Sequence, residues 1–204
     1  MDILPQLIVN SIIAGAIYSM VALGFNIIYG AVKFFDLGYG ALTAVGGYAV
    51  FFLYKTLGLD LYLSVILGMA ITAVIGYLVY RFVYGPLREK KSSSMVLLVG
   101  SLGAFTAIQA IIAILFTSQF QTLSRNAGAG QTFNIFGGII TDVQLIILIS
   151  CFVIMAVIAI VLKKTLFGKA IKAVSDDEEV AKIVGINTKK VIGWVFVIGS
   201  AIAG

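Results

Sequence analysis

An all-α, polytopic membrane protein is the fold class this sequence predicts, and three observations predict it. Of its 204 residues 61% are hydrophobic and only 11% are charged, where a soluble domain carries about a quarter of its residues charged. Mean hydropathy is +1.11. Apolar runs near the roughly 20 residues needed to cross the hydrocarbon layer recur along the chain: five complete ones and the opening of a sixth. Runs of this length must satisfy their own backbone polar groups, so each is expected to be a helix. Almost the whole of residues 1–204 is taken up by one transmembrane domain, with a charged loop at 163–190 inside it.

The first run, 7–28, follows "MDILPQ", which lacks the basic start of a cleavable signal, so it is expected to stay as an anchor. The second, 32–54, lies in "GAVKFFDLGYGALTAVGGYAV". It holds Lys33 and Asp36 at helical i, i+3 spacing, then Gly38, Gly40, Gly46 and Gly47. Charges in a span are costly and tend to face a cavity or a partner, which points to a broken helix lining a path, with Asn26, Tyr29, Asp36 and Tyr39 as its candidates. A plainer account has the two charges snorkelling at the headgroups and the glycines letting helices pack closely. Asn26 and Gln109 fit either a path or interhelical hydrogen bonding.

The third run, 59–84, leads to Arg81, Arg88, Lys90 and Lys91, the fourth is 95–117 and the fifth 143–162. Between the last two, "TFNIFGGIIT" sets Gly137-Gly138 between β-prone stretches, a hairpin signal or else an irregular loop, after which Thr141 or Asp142 is placed to cap the next helix. Loop 163–190 holds seven lysines against four acids, whereas the loop from Ser118 to Asp142 has only Arg125 as a base. Positive residues mark cytoplasmic loops, so the N-terminus and the hairpin loop are assigned outside. A sixth run opens at Val191, but 14 residues to Gly204 are short of a crossing, and the natural chain is expected to continue.

Function classes narrow accordingly. The net charge of +5 comes from bases at span ends, as the positive-inside rule requires, which argues against nucleic-acid binding. One cysteine, Cys151, allows no internal disulfide. The absence of histidine removes the commonest metal ligand and proton shuttle, so neither a metal site nor a catalytic residue is expected.

The stretch "SDDEEVAKIVGIN" is built differently from its surroundings. Ser175 and Glu178 have capping-box spacing, Asp176, Asp177, Glu178 and Glu179 crowd the first turn where the helix dipole favours acids, and Gly185 suits a C-terminal cap. Val180, Ile183 and Val184 share one face, so 175–185 is expected to be a short amphipathic cytoplasmic helix. Its apolar face lies either on the membrane and neighbouring spans or in the groove of a soluble partner.

The run "LKKTLFGKAIKAVSDDEEVAKIVGINTKKV" resembles the cytoplasmic coupling loop of permease subunits of branched-chain amino acid ABC transporters, the LivH and LivM type. The matching positions are Gly168, Ala170, Ile171, Lys172, Ala173, Val174, the acids from Asp176 to Glu179, Ala181, Gly185, Ile186 and Asn187. "LIVNSIIAGAIYSMVALGFNIIYG", "GGYAV" and "FNIFGGIITDVQLIIL" resemble the same family, so the likeness covers essentially the whole chain. One departure stands out: "DLGYG" puts Asp36 and Tyr39 where such permeases typically read Asn and His, which leaves the cargo open.

The resemblance implies a transport subunit and not an enzyme, in the inner (plasma) membrane of a prokaryote. It implies cytoplasmic ATP-binding subunits, a second permease subunit, same or related, and an extracytoplasmic substrate-binding protein as partners. No phosphate-binding G-x-x-x-x-G-K-[ST] motif occurs, so no cofactor is expected on this chain and ATP would be used by the partner. The docking contact falls on Asp177, Glu178, Val180, Ala181, Ile183, Val184 and Gly185, with Gly168 and Ala173 shaping the approach. The alternative, a secondary transporter or channel subunit with no ATPase partner, would use intramembrane charges, of which this chain offers Lys33 and Asp36 near one span end. A non-transporting scaffold would need no docking helix of this form.

Overall fold

A computed structural model of the chain describes residues 3–116, 132–135 and 138–204. Nearly all of these are helical: α1 (Ile3–Val32), α2 (Gly38–Phe51), α3 (Leu61–Val79), α4 (Gly85–Glu89), α5 (Ser94–Phe116), α6 (Asp142–Lys164), α7 (Leu166–Asp176), α8 (Glu178–Ile183) and α9 (Thr188–Ala203). Among the described residues four helical segments are long and apolar enough to cross a membrane: Leu4–Val32, Leu61–Glu89, Ser94–Phe116 and Asp142–Lys164. The chain is thus a polytopic helical membrane protein.

The second predicted run is where sequence and structure part. Val32 ends α1 instead of starting a new span. Lys33 takes φ +57° while its amide still reaches Tyr29 O at 2.9 Å, and the left-handed residue stops the helix. Lys33 and Asp36 therefore sit in a break at residues 33–37, not on one helix. That break takes residues from the second run, leaving α2 with 14 residues and a five-residue π-helical extension, Phe52–Thr56. Gly38, Gly40, Gly46 and Gly47 lie in α2 without interrupting it. Gly46 is packed tightly against Gly204, whereas a Cβ at Gly47 would meet nothing. Gly38 is close against the Tyr84 hydroxyl and the Asp36 carboxylate, so close packing is the observed role of two glycines of the four, Gly38 and Gly46.

The third helix runs past its predicted end. Asp60 caps α3 by accepting the Tyr62 amide at 3.2 Å, and the helix continues through a π-helical turn at Tyr80–Tyr84 into α4. Arg81 and Arg88 accordingly lie on the helix and not in the turn that follows it. At the other end of the molecule, β1 (Thr132–Ile135) and β2 (Gly138–Thr141) pair antiparallel, with Thr132 opposite Thr141. The two strands agree with the hairpin expectation, while Gly137 falls outside the described residues. Thr141 is the cap of α6: its hydroxyl accepts the Gln144 amide while Gln144 Oε1 accepts the Thr141 amide at 3.0 Å, a reciprocal capping box.

α9 packs between α1 and α3, and α2 between α3 and α5. Small residues set these approaches, Gly24 against Gly199 and Gly76 against Ser200, as expected where lipid supplies no hydrophobic drive for helix pairing. Two hydroxyls inside the helices are satisfied locally, Thr72 by Gly68 O at 2.9 Å and Thr43 by Tyr39 O at 3.2 Å, whereas the buried Ser200 hydroxyl has no hydrogen-bond partner among the described residues. The tightest core lies at the end of the molecule that carries the basic residues. There Ile28, Val32, Phe34 and Tyr84 meet Ile171, Val174, Ile192 and Phe196.

Candidate coupling segment and membrane path

The segment after α6 is fastened to the spans step by step. Thr165 turns the chain with an extended backbone and caps α7, its hydroxyl accepting the Gly168 amide at 3.0 Å. A Cβ at Gly168 would run into the carbonyl oxygens of Val161 and Leu162, so only glycine fits this close approach. Gly168, Ile171 and Val174 recur along the buried face of α7, which packs on α1 and α9. Ala173 is partly buried and borders the same cluster.

Ser175 does not begin the next helix. It is the penultimate residue of α7, and its hydroxyl donates to Gly30 O in α1 at 2.8 Å. The expected single helix over 175–185 is two, because Asp177 takes φ −155°, ψ 116°. The Asp177 carboxylate caps α8, accepting the amides of Glu179 and Val180 at 2.8 and 3.1 Å. α8 ends in a Schellman turn: Gly185, at φ +87°, donates to Lys182 O and Ile186 donates to Ala181 O.

Glu178 is the knot that ties α8 down. One carboxylate oxygen pairs with Arg88 of α4, and the other accepts from Lys182 at 2.8 Å and from the Thr188 hydroxyl at 3.3 Å. Arg88 in turn donates to Val32 O, the last residue of α1, at 3.1 Å. Partial burial would raise the Glu178 pKa, but the Lys182 hydrogen bond and the Arg88 charge outweigh it and hold the carboxyl below its usual range. A second pair, Lys189 with Glu89 at 2.8 Å, joins α9 to α4 nearby.

The two sides of α8 differ sharply. Ala181 is 1% exposed against the bundle, whereas Val180, Ile183 and Val184 are 55%, 83% and 68% exposed. The apolar face drawn from the sequence thus points away from the spans, and Ala181 with Glu178 forms the inner side.

The path candidates separate into two environments. Asn26 and Tyr29 are exposed on α1, and Gln109 on α5, so none of them is buried glue within this chain. Asp36 and Tyr39 are buried. Asp36 Oδ1 accepts from Tyr84 OH at 2.5 Å and from the Gly38 amide at 2.9 Å, while Oδ2 has no hydrogen-bond partner among the described residues. Tyr39 donates to Gly199 O at 3.3 Å and meets Phe25 edge-on. Tyr29, Lys33, Phe34 and Met95 line a groove of about 490 Å³ beside the break.

The family described as "Branched-chain amino acid transport system / permease component" matches residues 7–204. The chain belongs to that family. It is 28% identical over 210 residues to the high-affinity branched-chain amino acid transport system permease protein LivH of Escherichia coli K12, covering 97% of this chain and 67% of LivH. BraD of Pseudomonas aeruginosa, of the same description, is 24% identical over 209 residues, at 97% and 67% coverage. The probable LivH of Methanocaldococcus jannaschii is 26% identical over 203 residues, covering 96% of this chain and 62% of that one. No solved structure matches the chain significantly. Membership makes this chain a transport permease component, and not an enzyme by family.

Sequence reasoning missed Arg88 and Thr188. Arg88 reads as one of several orienting charges, yet it carries the contact between α1, α4 and α8. Its partner Glu178 is 90 positions away, and no local periodicity links two such residues.

Proposed function

We propose that this permease is the membrane subunit of an ATP-driven importer for branched-chain or related amino acids, driven by a separate cytoplasmic ATPase that docks on α8. One observation carries the proposal: an apolar tip, Val180, Ile183 and Val184, is held out from the membrane domain on a short helix whose base is capped, ion-paired to α4, hydrogen-bonded to α9 and linked through Arg88 to the end of α1. Contiguous exposed apolar residues mark partner sites, and the helix-in-groove mode suits this tip. Asp177, Glu178, Ala181 and Gly185 fix its shape, with Gly168 and Ala173 seating α7 beneath it.

In this proposal the basic end of the molecule is cytoplasmic and the N-terminus and hairpin face outward, in the inner membrane of a prokaryote. A substrate-binding protein would deliver cargo to the outer side, and a second permease subunit would cover the face of α1 that carries Asn26 and Tyr29. Asp36 and Tyr39 act on the path from behind, by holding the α1–α2 break. ATP would bias the equilibrium between two states through contacts made differently in each, with Arg88 and Glu178 passing the motion from α8 to the end of α1.

Co-purification in mild detergent with the ATP-binding subunit tests it. The wild-type chain should retain the ATPase, and both Gly185→Arg and the double change Val180→Asp, Ile183→Asp should lose it while remaining folded. An ATPase that never associates, or ignores both changes, leaves the secondary-transporter or channel alternative standing.

A further inference from the structure

We propose that the cleft between α3, α4, α8 and the start of α9 binds the headgroup of an anionic phospholipid of the cytoplasmic leaflet. The cleft has a volume of about 450 Å³. Five cations line it, Arg81, Arg88, Lys182, Lys189 and Lys190, against two carboxylates, Glu89 and Glu178. Both carboxylates are already committed, Glu178 to Arg88 and Lys182 and Glu89 to Lys189. Arg81 and Lys190 make no salt bridge among the described residues, although Arg81 acts on Glu89 at longer range, so the cleft carries an excess of three positive charges with two of its cations unpaired.

Depth argues for a lipid as the source of the anion. Arg81 lies eight positions before Glu89 on one continuous helical segment, which at 1.5 Å per residue puts its backbone about 12 Å above the cytoplasmic end. Its guanidinium is thus carried near the acyl boundary, where long basic side chains snorkel toward phosphates. Between α3 and α9 the wall is apolar and aromatic. Trp194 and Tyr77 are 58% and 42% exposed, the residue types that settle at the membrane interface. Gly193 lets the Tyr77 and Tyr80 rings lie directly against α9, where an added Cβ would press on both, and these rings give the cleft an apolar floor against which an acyl chain can lie. A free phosphate would use the cations and leave this wall idle. Basic pockets between spans on the cytoplasmic side are a known form of headgroup recognition.

The proposal depends on the chain's place in the membrane and not on ATPase docking. Its test is native mass spectrometry of the full chain in detergent, titrated with phosphatidylglycerol, phosphatidylcholine or inorganic phosphate. Wild type should bind phosphatidylglycerol at least tenfold more tightly than phosphatidylcholine, and added NaCl should erode that preference. The double variant Arg81→Gln, Lys190→Gln should lose most of the preference, since each cation near an anionic headgroup is worth about fivefold in affinity. Arg81→Lys with Lys190→Arg should keep it. Equal binding of the two lipids by wild type overturns the proposal, as does full displacement of phosphatidylglycerol by millimolar phosphate. Should the ATP-binding subunit bind wild type but not the glutamine variant while lipid preference is unchanged, the cleft is a protein contact and the lipid assignment fails. If the glutamine variant does not fold, the salt dependence in wild type decides.

Discussion

Two chain breaks lie at the same end of this molecule and are made in opposite ways. Between α1 and α2 polar groups turn inward: Asp36 is buried, hydrogen-bonded to Tyr84 and Gly38, and Tyr39 reaches across to Gly199. Between α7 and α8 the polar groups stay at the surface, Asp177 capping the helix, and apolar side chains turn outward. The first is a packed joint that fixes where two spans meet. The second is a fastened base with a free tip. Which side chains a segment shows is decided by what it is tied to, and hydropathy alone would have assigned the two breaks the other way round.

The comparison can be broken at its buried side first. Tyr84→Ala removes a fully buried ring along with the hydroxyl that holds Asp36, and should cost about 3–5 kcal/mol, read as a large fall in the unfolding temperature in detergent. Tyr84→Phe keeps the ring and should cost about 1–3 kcal/mol, the range for a buried acceptor that loses its donor. Comparable losses for the two changes would mean that the hydroxyl, not the ring, dominates the joint.

At the second break the losses should be smaller. Glu178→Ala removes the ion pair to Arg88 and the contacts to Lys182 and Thr188, and partial exposure limits the cost to about 1–2 kcal/mol. On the proposed function its larger effect should be on ATPase-driven transport, with binding of the ATPase retained, because the tip persists while its link through Arg88 to α1 is cut. Asp177→Ala should cost about 1 kcal/mol, confined to α8 and measured as faster amide hydrogen exchange at residues 179–183 with the spans unchanged. The double change at Val180 and Ile183 should shift the unfolding temperature least of all, since exposed substitutions stay within about 0.5 kcal/mol.

Acidity separates the two breaks further. The folded Glu178 carboxyl titrates below its ordinary range, so its contribution is fully present above the unfolded value of about 4.3 and disappears as pH falls through the lower, folded value. Stability of the wild type should therefore decline on acidification in that window more steeply than that of Glu178→Gln. Parallel curves for the two proteins would show that the carboxylate adds nothing to the fold.

Much of this architecture was legible in the chain. Length and apolarity located α1, α3, α5 and α6 to within a few residues at most ends, because a membrane span leaves the backbone little choice. The α6 start at Thr141 and the Gly185 turn were legible from capping chemistry. The break at 33–37 was hidden because a left-handed lysine has no signature in composition, and Lys33 with Asp36 mimics helical spacing. Ser175 misled for a related reason: it has the right chemistry for a cap, but Gly30 O, 145 positions away, is its partner. Contacts of such separation decide both the break and the base of α8, and a single sequence does not carry them.

The π-helical turn at Tyr80–Tyr84 makes α3 and α4 one rod with two phases. A wide turn accommodates one residue more than an α-helical one, and each residue of α-helix advances the side chains by about 100°. Above the turn the rod is phased for its neighbours in the bilayer, and below it Arg88 is aimed at Val32 and Glu178. Forced into plain α-helix with all its residues kept, the rod would hold its membrane half in register while swinging Arg88 about a quarter of a turn off its partners, and deleting one residue from the wide turn would cancel that swing.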